Sequence, residues 1–333
     1  MSYQQTDKPT EQGSFASSAV ATVAEDRIHQ PLWRVRLSLM WKSLKGSWVI
    51  FAESPIGLIG LGIIIFFALF ALAHPILMKT VWPRAIYDPV IGFDATLPSH
   101  PAAPSIRHIL GTDAIGRDVL SQLMSSTSSE FALGLLAAIV TVTLGTTIGA
   151  VSAYFGKAVD VIFMRLADLV IMTPTISLLI VLGALIELNL IQLGIVLGIL
   201  SGFGGVTVII KSQALTIMVK PYIEAARIAG GNDFHIIFTH IVPNLLPLSF
   251  LYMMFTVTGA IFSEGVLSVF GLLNIRMSWG LIIYTTQSSG YLLDFKRWWL
   301  IFPAGLAITL LCSAFYLVGR ALDEVVNPRL RRR

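Results

Sequence analysis

The residues that could do chemistry in this chain are few and scattered. Its six histidines (His29, His74, His100, His108, His235, His240) have no metal-ligand spacing, and no His-Glu-x-x-His occurs. Gly156-Lys157 lacks the upstream glycine and the following hydroxyl of a phosphate loop. No Gly-x-Ser-x-Gly elbow offers an activated nucleophile. The single Cys312 lies in an apolar run, which rules out an intramolecular disulfide and suits a small packing residue. No metal, cofactor or catalytic residue is therefore expected in the chain itself. Three polar features remain. Glu264 is the one acid in its apolar run, where an ionisable side chain is costly and by default functional. Gly111-Thr112-Asp113 and Gly116-Arg117-Asp118 gather charge ahead of another apolar run. A polar stretch from Lys220 to Asn244 separates two more.

The elements that must hold these features are membrane helices. Of 333 residues, 55% are hydrophobic and only 13% charged, with mean hydropathy +0.78. A soluble domain of this size needs far more charge to cover its surface. Apolar runs of about 20 residues recur, the length that crosses ~30 Å of hydrocarbon. The expected fold class is all-α: a polytopic membrane protein with six transmembrane helices. By hydropathy they lie near Ile56–Ala73, Phe131–Phe155, Val161–Leu185, Leu190–Ile210, Leu245–Phe270 and Leu300–Leu322. Pro174 permits a kink in the third.

Four regions follow from this pattern. Residues 1–54 form a tail, rich in Ser, Thr, Gln and Ala to about residue 30. Arg34, Arg36, Lys42 and Lys45 then alternate with Trp33, Trp41 and Trp48, as in an amphipathic helix at a membrane surface. No apolar segment near Met1 suggests a cleaved signal peptide. Residues 55–130 hold the first span and a proline-rich outer loop, 131–322 the core spans with the loop 220–244, and 323–333 a basic tail. With the N-terminus inside, 16 of the 23 Lys and Arg share a side with both termini and the 220–244 loop. Both termini are thus expected in the cytoplasm. The net charge of +4 reflects this topology rather than nucleic acid, since no aromatic-basic reading surface occurs.

The 220–244 stretch reads as structure. Pro221 suits the first position of a helix and Glu224 its first turn, where the dipole favours an anion. Ala225 and Ala226 favour helix and carry almost no side chain. Gly230-Gly231 can stop that helix, and Asn232 or Asp233 can cap a second one reaching about His240. Pro243 bars a simple continuation and marks entry to the next span. A short helix, a bend and a second helix with a small-residue face make a docking element.

Glu224-Ala225-Ala226, Gly230 six residues after the acid, Asp233, and then His240-Ile241-Val242-Pro243-Asn244 resemble the coupling loop of ABC-importer permeases. The usual Ile-x-Leu-Pro ending is altered here, in the manner of the oligopeptide/dipeptide/nickel branch. Gly111-Thr112-Asp113…Gly116-Arg117-Asp118 resembles the lead-in to that branch's second span. Arg165-Leu166-Ala167-Asp168…Pro174, Ser263-Glu264-Gly265…Gly271, Ser278-Trp279-Gly280 and Asn327-Pro328-Arg329 extend the likeness from residue 50 onward. The resemblance implies the C-type permease subunit of a type I importer. It also implies a second homologous permease, one or two cytoplasmic ABC ATPases that bind ATP and Mg, and an extracytoplasmic substrate-binding protein. The expected location is a prokaryotic cell membrane.

Some roles stay open at this level. Gly111 to Asp118 either anchors the outer loop or touches substrate. Arg165 and Asp168, three residues apart, form an intrahelical ion pair or serve translocation. Glu264 is an outer gate or a hydrogen-bonded structural acid. Gly145/Gly149 and Gly198/Gly202 mark close helix packing, and Gly202, Gly204 and Gly205 loosen the fourth span. The cargo is an oligopeptide or dipeptide, or alternatively an oligosaccharide or nickel complex. An ion-coupled secondary transporter is the reading from a different class, and it would need more midplane ionisable residues than the spans offer.

Overall fold

The computed structural model describes residues 45–326, so most of the expected surface helix and the final seven residues lie outside it. The chain divides after Glu53, and before that point a helix over 45–52 is described. From Ser54 onward every regular element among the described residues is helical: α1 Pro55–Thr80, α2 Arg84–Tyr87, α3 Val119–Phe155, α4 Lys157–Met172, α5 Thr175–Leu185 and α6 Leu190–Ser201. There follow α7 Thr207–Met218, α8 Pro221–Ile228, α9 Asp233–His235, α10 Val242–Val269, α11 Trp279–Ser288 and α12 Phe302–Val326. Five continuous helical segments are long and apolar enough to cross a membrane, namely α1, α3, α6–α7, α9–α10 and α12.

The expected third span is not one helix. α4 and α5 meet at 82°, and counting the pair as one gives six crossings. The cause is local. Pro174 offers no N–H and would clash with the carbonyl one turn back, while Thr173 before it is extended at ψ 123°. The second span is longer than expected, starting at Val119 instead of near Phe131. Asp118 caps its first turn, its carboxylate accepting the Ser121 N–H at 2.7 Å. The polar residues that hid this turn from hydropathy, among them Gln122, Ser126 and Thr127, are buried against the protein itself.

α3 is the shaft on which the rest is mounted. It packs along α6 and α7 on one side and α10 on another; α12 packs on α10, and α1 lies against both α12 and α3. The glycines set these distances. A Cβ at Gly198 would lie 2.5 Å from Val140 Cβ, and one at Gly149 would lie 2.9 Å from Ile210 Cγ2. Between lipid-borne helices, such close contact and internal hydrogen bonds replace the hydrophobic drive. Thr146 and Ser249 supply one such bond, 2.6 Å between hydroxyls, joining α3 to α10. α6 passes into α7 through a π turn at Gly202–Val206, where Gly204 leaves helical geometry (φ −81°, ψ −128°). The glycines of the fourth span thus do interrupt it.

Candidate functional site: an exposed elbow and a buried clasp

At one end of the bundle, α8 and α9 form an elbow. Lys220 precedes Pro221, which takes the first helical turn as its fixed φ allows. α8 ends at Gly230 (φ +81°), with the Gly230 N–H donating to Arg227 O at 2.9 Å and the Gly231 N–H to Ala226 O at 3.0 Å. That reciprocal pair closes a helix through a left-handed glycine, which a side chain would strain. Asn232, and not Asp233, is the next cap: its Oδ1 accepts the His235 N–H at 2.7 Å. Asp233 instead accepts from the Tyr154 hydroxyl at 2.7 Å, and the Arg227 guanidinium lies 5.2 Å from the Tyr154 ring centre. The elbow is therefore tied to the end of α3.

Its inner side is apolar. Ile223, Ile236, Ile237 and Ile241 are fully buried with Ala150, Ala153, Ile210, Ala214 and Ile217 from α3 and α7. Its outer side is open. Glu224, Ala225 and Arg227 are exposed, as are Gly230 and the large side chains Ile228 (81%) and Phe234 (67%). His240 is half-buried, and its carbonyl accepts from Asn244 Nδ2 at 2.7 Å. Pro243 does not end the second helix, contrary to expectation. A π turn over Ile236–Ile241 precedes it, with the Val242 N–H donating to Ile237 O five residues back, so α9 continues into α10 without a loop. The wider turn accommodates the proline that an α-helix would reject.

At the opposite end, residues Gly111 to Asp118 form a clasp whose charges are all answered within the chain. Asp113 accepts from the Ile115 and Arg117 N–H groups (2.9 Å each), from Arg117 Nε at 2.7 Å and from Gln122 Nε2 at 2.9 Å. Thr112, fully buried, accepts the Ala102 N–H, and its carbonyl accepts from Trp299 Nε1 at 3.2 Å. A Cβ at Gly111 would stand 2.5 Å from Ala102 O, so only glycine fits. His108 sits between two acids, Nδ1 2.8 Å from Asp118 Oδ1 and Nε2 3.1 Å from Asp94 Oδ2. Burial pushes the Asp118 carboxyl above its ordinary value, against the hydrogen bonds from Ser121 and His108. Burial acts on Asp94 in the same sense, yet bonds from Thr96 and His108 and the charge of Arg107 outweigh it and hold Asp94 at about 2. Arg117 and Asp118 do not carry free charge to the membrane edge, as the sequence suggested. They are buried and paired. Arg165 and Asp168 do form the expected ion pair, 3.4 Å apart and exposed.

Glu264, 1% exposed, lines none of the described cavities. Its Oε1 accepts from Ser268 Oγ at 2.5 Å, and Ser268 lies 3.3 Å from the α11 cap, Ser278. Facing it is Glu130 of α3, whose Oε1 accepts the Trp279 N–H at 3.3 Å. Sequence reasoning missed Glu130 because hydropathy put it at the end of a loop. The signal was there in Gln122, Ser126, Thr127 and Glu130, polar residues at helical spacing after a capping Asp. Together these groups join α3, α10 and the first turn of α11, whose Trp279 is fully buried and donates from Nε1 to Leu123 O at 3.0 Å.

Comparison with known proteins agrees with this architecture. A family model described as binding-protein-dependent transport system inner membrane component matches residues 145–332. The chain is 33% identical over 235 residues to the oligopeptide transport system permease protein of Haemophilus influenzae, covering 69% of this chain and 74% of that one. It is 29% identical over 296 residues to the oligopeptide permease protein of Bacillus subtilis (88% and 91% covered). It is 28% identical over 298 residues to the dipeptide permease protein of the same organism (88% and 85% covered).

Proposed function

Because the chain belongs to the family of binding-protein-dependent transport system inner membrane components, we propose that it lines half of a peptide's path across the membrane and is moved through its elbow. The chain is a multi-pass permease subunit of an ABC importer. A second homologous permease supplies the other half of the path. One or two cytoplasmic ABC ATPases bind ATP and Mg, and an extracytoplasmic binding protein delivers the cargo. Relatives named for oligopeptides and dipeptides favour peptides over sugars or nickel complexes. In this reading both termini and the elbow face the cytoplasm, in line with the distribution of Lys and Arg.

One observation carries the mechanism. The elbow is rooted by buried isoleucines on α3 and α7 and runs into α10 with no intervening loop, while its small outer face is open. A partner that grips Glu224 to Gly230 and closes on ATP therefore displaces α10 and α3 together, and helices that pack so tightly move as bodies. Ala225 and Ala226 let the partner approach, and Asp233 and His240 edge the contact. Glu264, sealed with Glu130 and Ser268, keeps α11 fixed to the moving helices; its burial supports a structural role over a gate.

Site-directed cross-linking tests this. With Cys312→Ser removing the only native cysteine, an Ala225→Cys variant treated with a short bifunctional reagent should capture the ATPase, and ATP should change the yield. Capture of no ATPase in an active complex would sink the proposal.

A further inference from the structure

At the end of the bundle opposite the elbow lies a cavity of about 560 Å³ between α1, α3 and the segment before α11. Three cations border it, Lys79, Arg84 and Arg276, with Asp88 the one acid. The Asp88 Oδ1 already accepts the Val90 and Ile91 N–H groups. Three other cations at this end have their own acids: Arg107 pairs with Asp94, Arg117 with Asp113 and Arg297 with Asp294, while Lys296, away from the cavity, has none among the described residues. Lys79, Arg84 and Arg276 pair with no carboxylate among the described residues.

The hydroxyls along this stretch of α3 fall into two groups. Ser126 and Thr127 turn back to the carbonyls of Gln122 and Leu123, as helical hydroxyls commonly do. The side-chain hydroxyls of Ser125, Ser128 and Ser129, which line the cavity, have no hydrogen-bond partner among the described residues and are free to donate into it. Exposed cations without an acid partner, beside hydroxyls without one, on the wall of one cavity suit an oxyanion.

Depth indicates what reaches it. Counting from Pro55 along α1 puts Pro75 about 30 Å away and Lys79 about 36 Å away, just past the hydrocarbon and level with lipid head groups. Leu72 and Ile76, on the neighbouring face of α1, are 63% and 60% exposed, as acyl chains would require. We propose that this cavity binds a phosphate oxyanion, presented by an anionic phospholipid of the leaflet facing away from the elbow.

The complete transporter in nanodiscs of phosphatidylcholine, with or without phosphatidylglycerol, provides the test, with native mass spectrometry counting retained phosphatidylglycerol. Each basic group near a lipid surface contributes about fivefold, so the triple variant Lys79→Gln/Arg84→Gln/Arg276→Gln should lower retention on the order of a hundredfold. Retention equal to wild type overturns the proposal. Should the triple variant fail to assemble, Arg276→Gln alone decides, with a drop of about fivefold expected. A second arm titrates inorganic phosphate onto the wild type in phosphatidylcholine and follows the melting temperature. A rise that the variant lacks keeps the oxyanion site but assigns it to soluble phosphate. No response in either arm discards the site.

Discussion

The elbow and the clasp are both short, polar, glycine-marked stretches, yet they end up in opposite physical states. In the clasp, Asp113, Arg117 and Asp118 are buried and each finds its partner inside the chain. In the elbow, Glu224 and Arg227 are 3.8 Å apart and largely exposed, and Ile228 and Phe234 stand in the open. The difference lies in what each stretch leaves unsatisfied. A charge answered within its own chain holds a structure together. Exposed apolar groups beside small residues are half of a contact that some other surface completes.

Breaking the clasp should have the largest effect on the folded state. Asp113→Ala strands the buried Arg117 and Gln122, so stability should fall by about 3–5 kcal/mol. A melting curve of the purified complex measures this, and an unchanged midpoint would mean the clasp is not structural. Acid should act more gently on the same end. Asp94, held at about 2 against an ordinary 3.8, stabilises the loop above that ordinary value and loses its contribution as pH falls through about 2. Asp118, raised by burial, acts in the opposite sense and softens the loss. Hydrogen-exchange protection factors of the loop, corrected for the intrinsic rate at each pH, should fall between pH 4 and 2 in the wild type and much less in Asp94→Asn. The smallest effect on stability belongs to the elbow. Glu224→Arg should shift stability by no more than about 0.5 kcal/mol, since the pair it breaks is exposed. Transport should nevertheless be lost. If the variant transports normally, the elbow's charge plays no part in docking, and the contrast between the two ends weakens.

The two ends also differ in how far the sequence discloses them. The elbow is governed by local rules, so Pro221, Gly230 and Asn232 announce its starts and stops within a few residues. Local rules also explain why Pro174 breaks a span. They fail for Pro243, because a π turn depends on packing that no short window contains. The clasp was visible as a motif, but its partners Asp94 and His108 come from the preceding loop, and Trp299 from 187 residues beyond Thr112. The facing of Glu130 and Glu264 is likewise a product of tertiary structure. Hydropathy misjudged Val119 to Glu130 for a related reason: polar residues that face protein look the same, on a scale, as polar residues that face water.

The unbroken run from Asn232 through the π turn into α10 has a mechanical consequence. A flexible joint there would absorb torque, whereas a continuous screw passes it straight to the far end. The π turn is one residue too long for ordinary α winding, so it acts as a keyway that sets the angle of the crank relative to its axle. Adding or removing a single amino acid between Ile236 and Ile241 would turn the elbow by about 100° relative to α10 and pull those buried isoleucines out of register with α3 and α7.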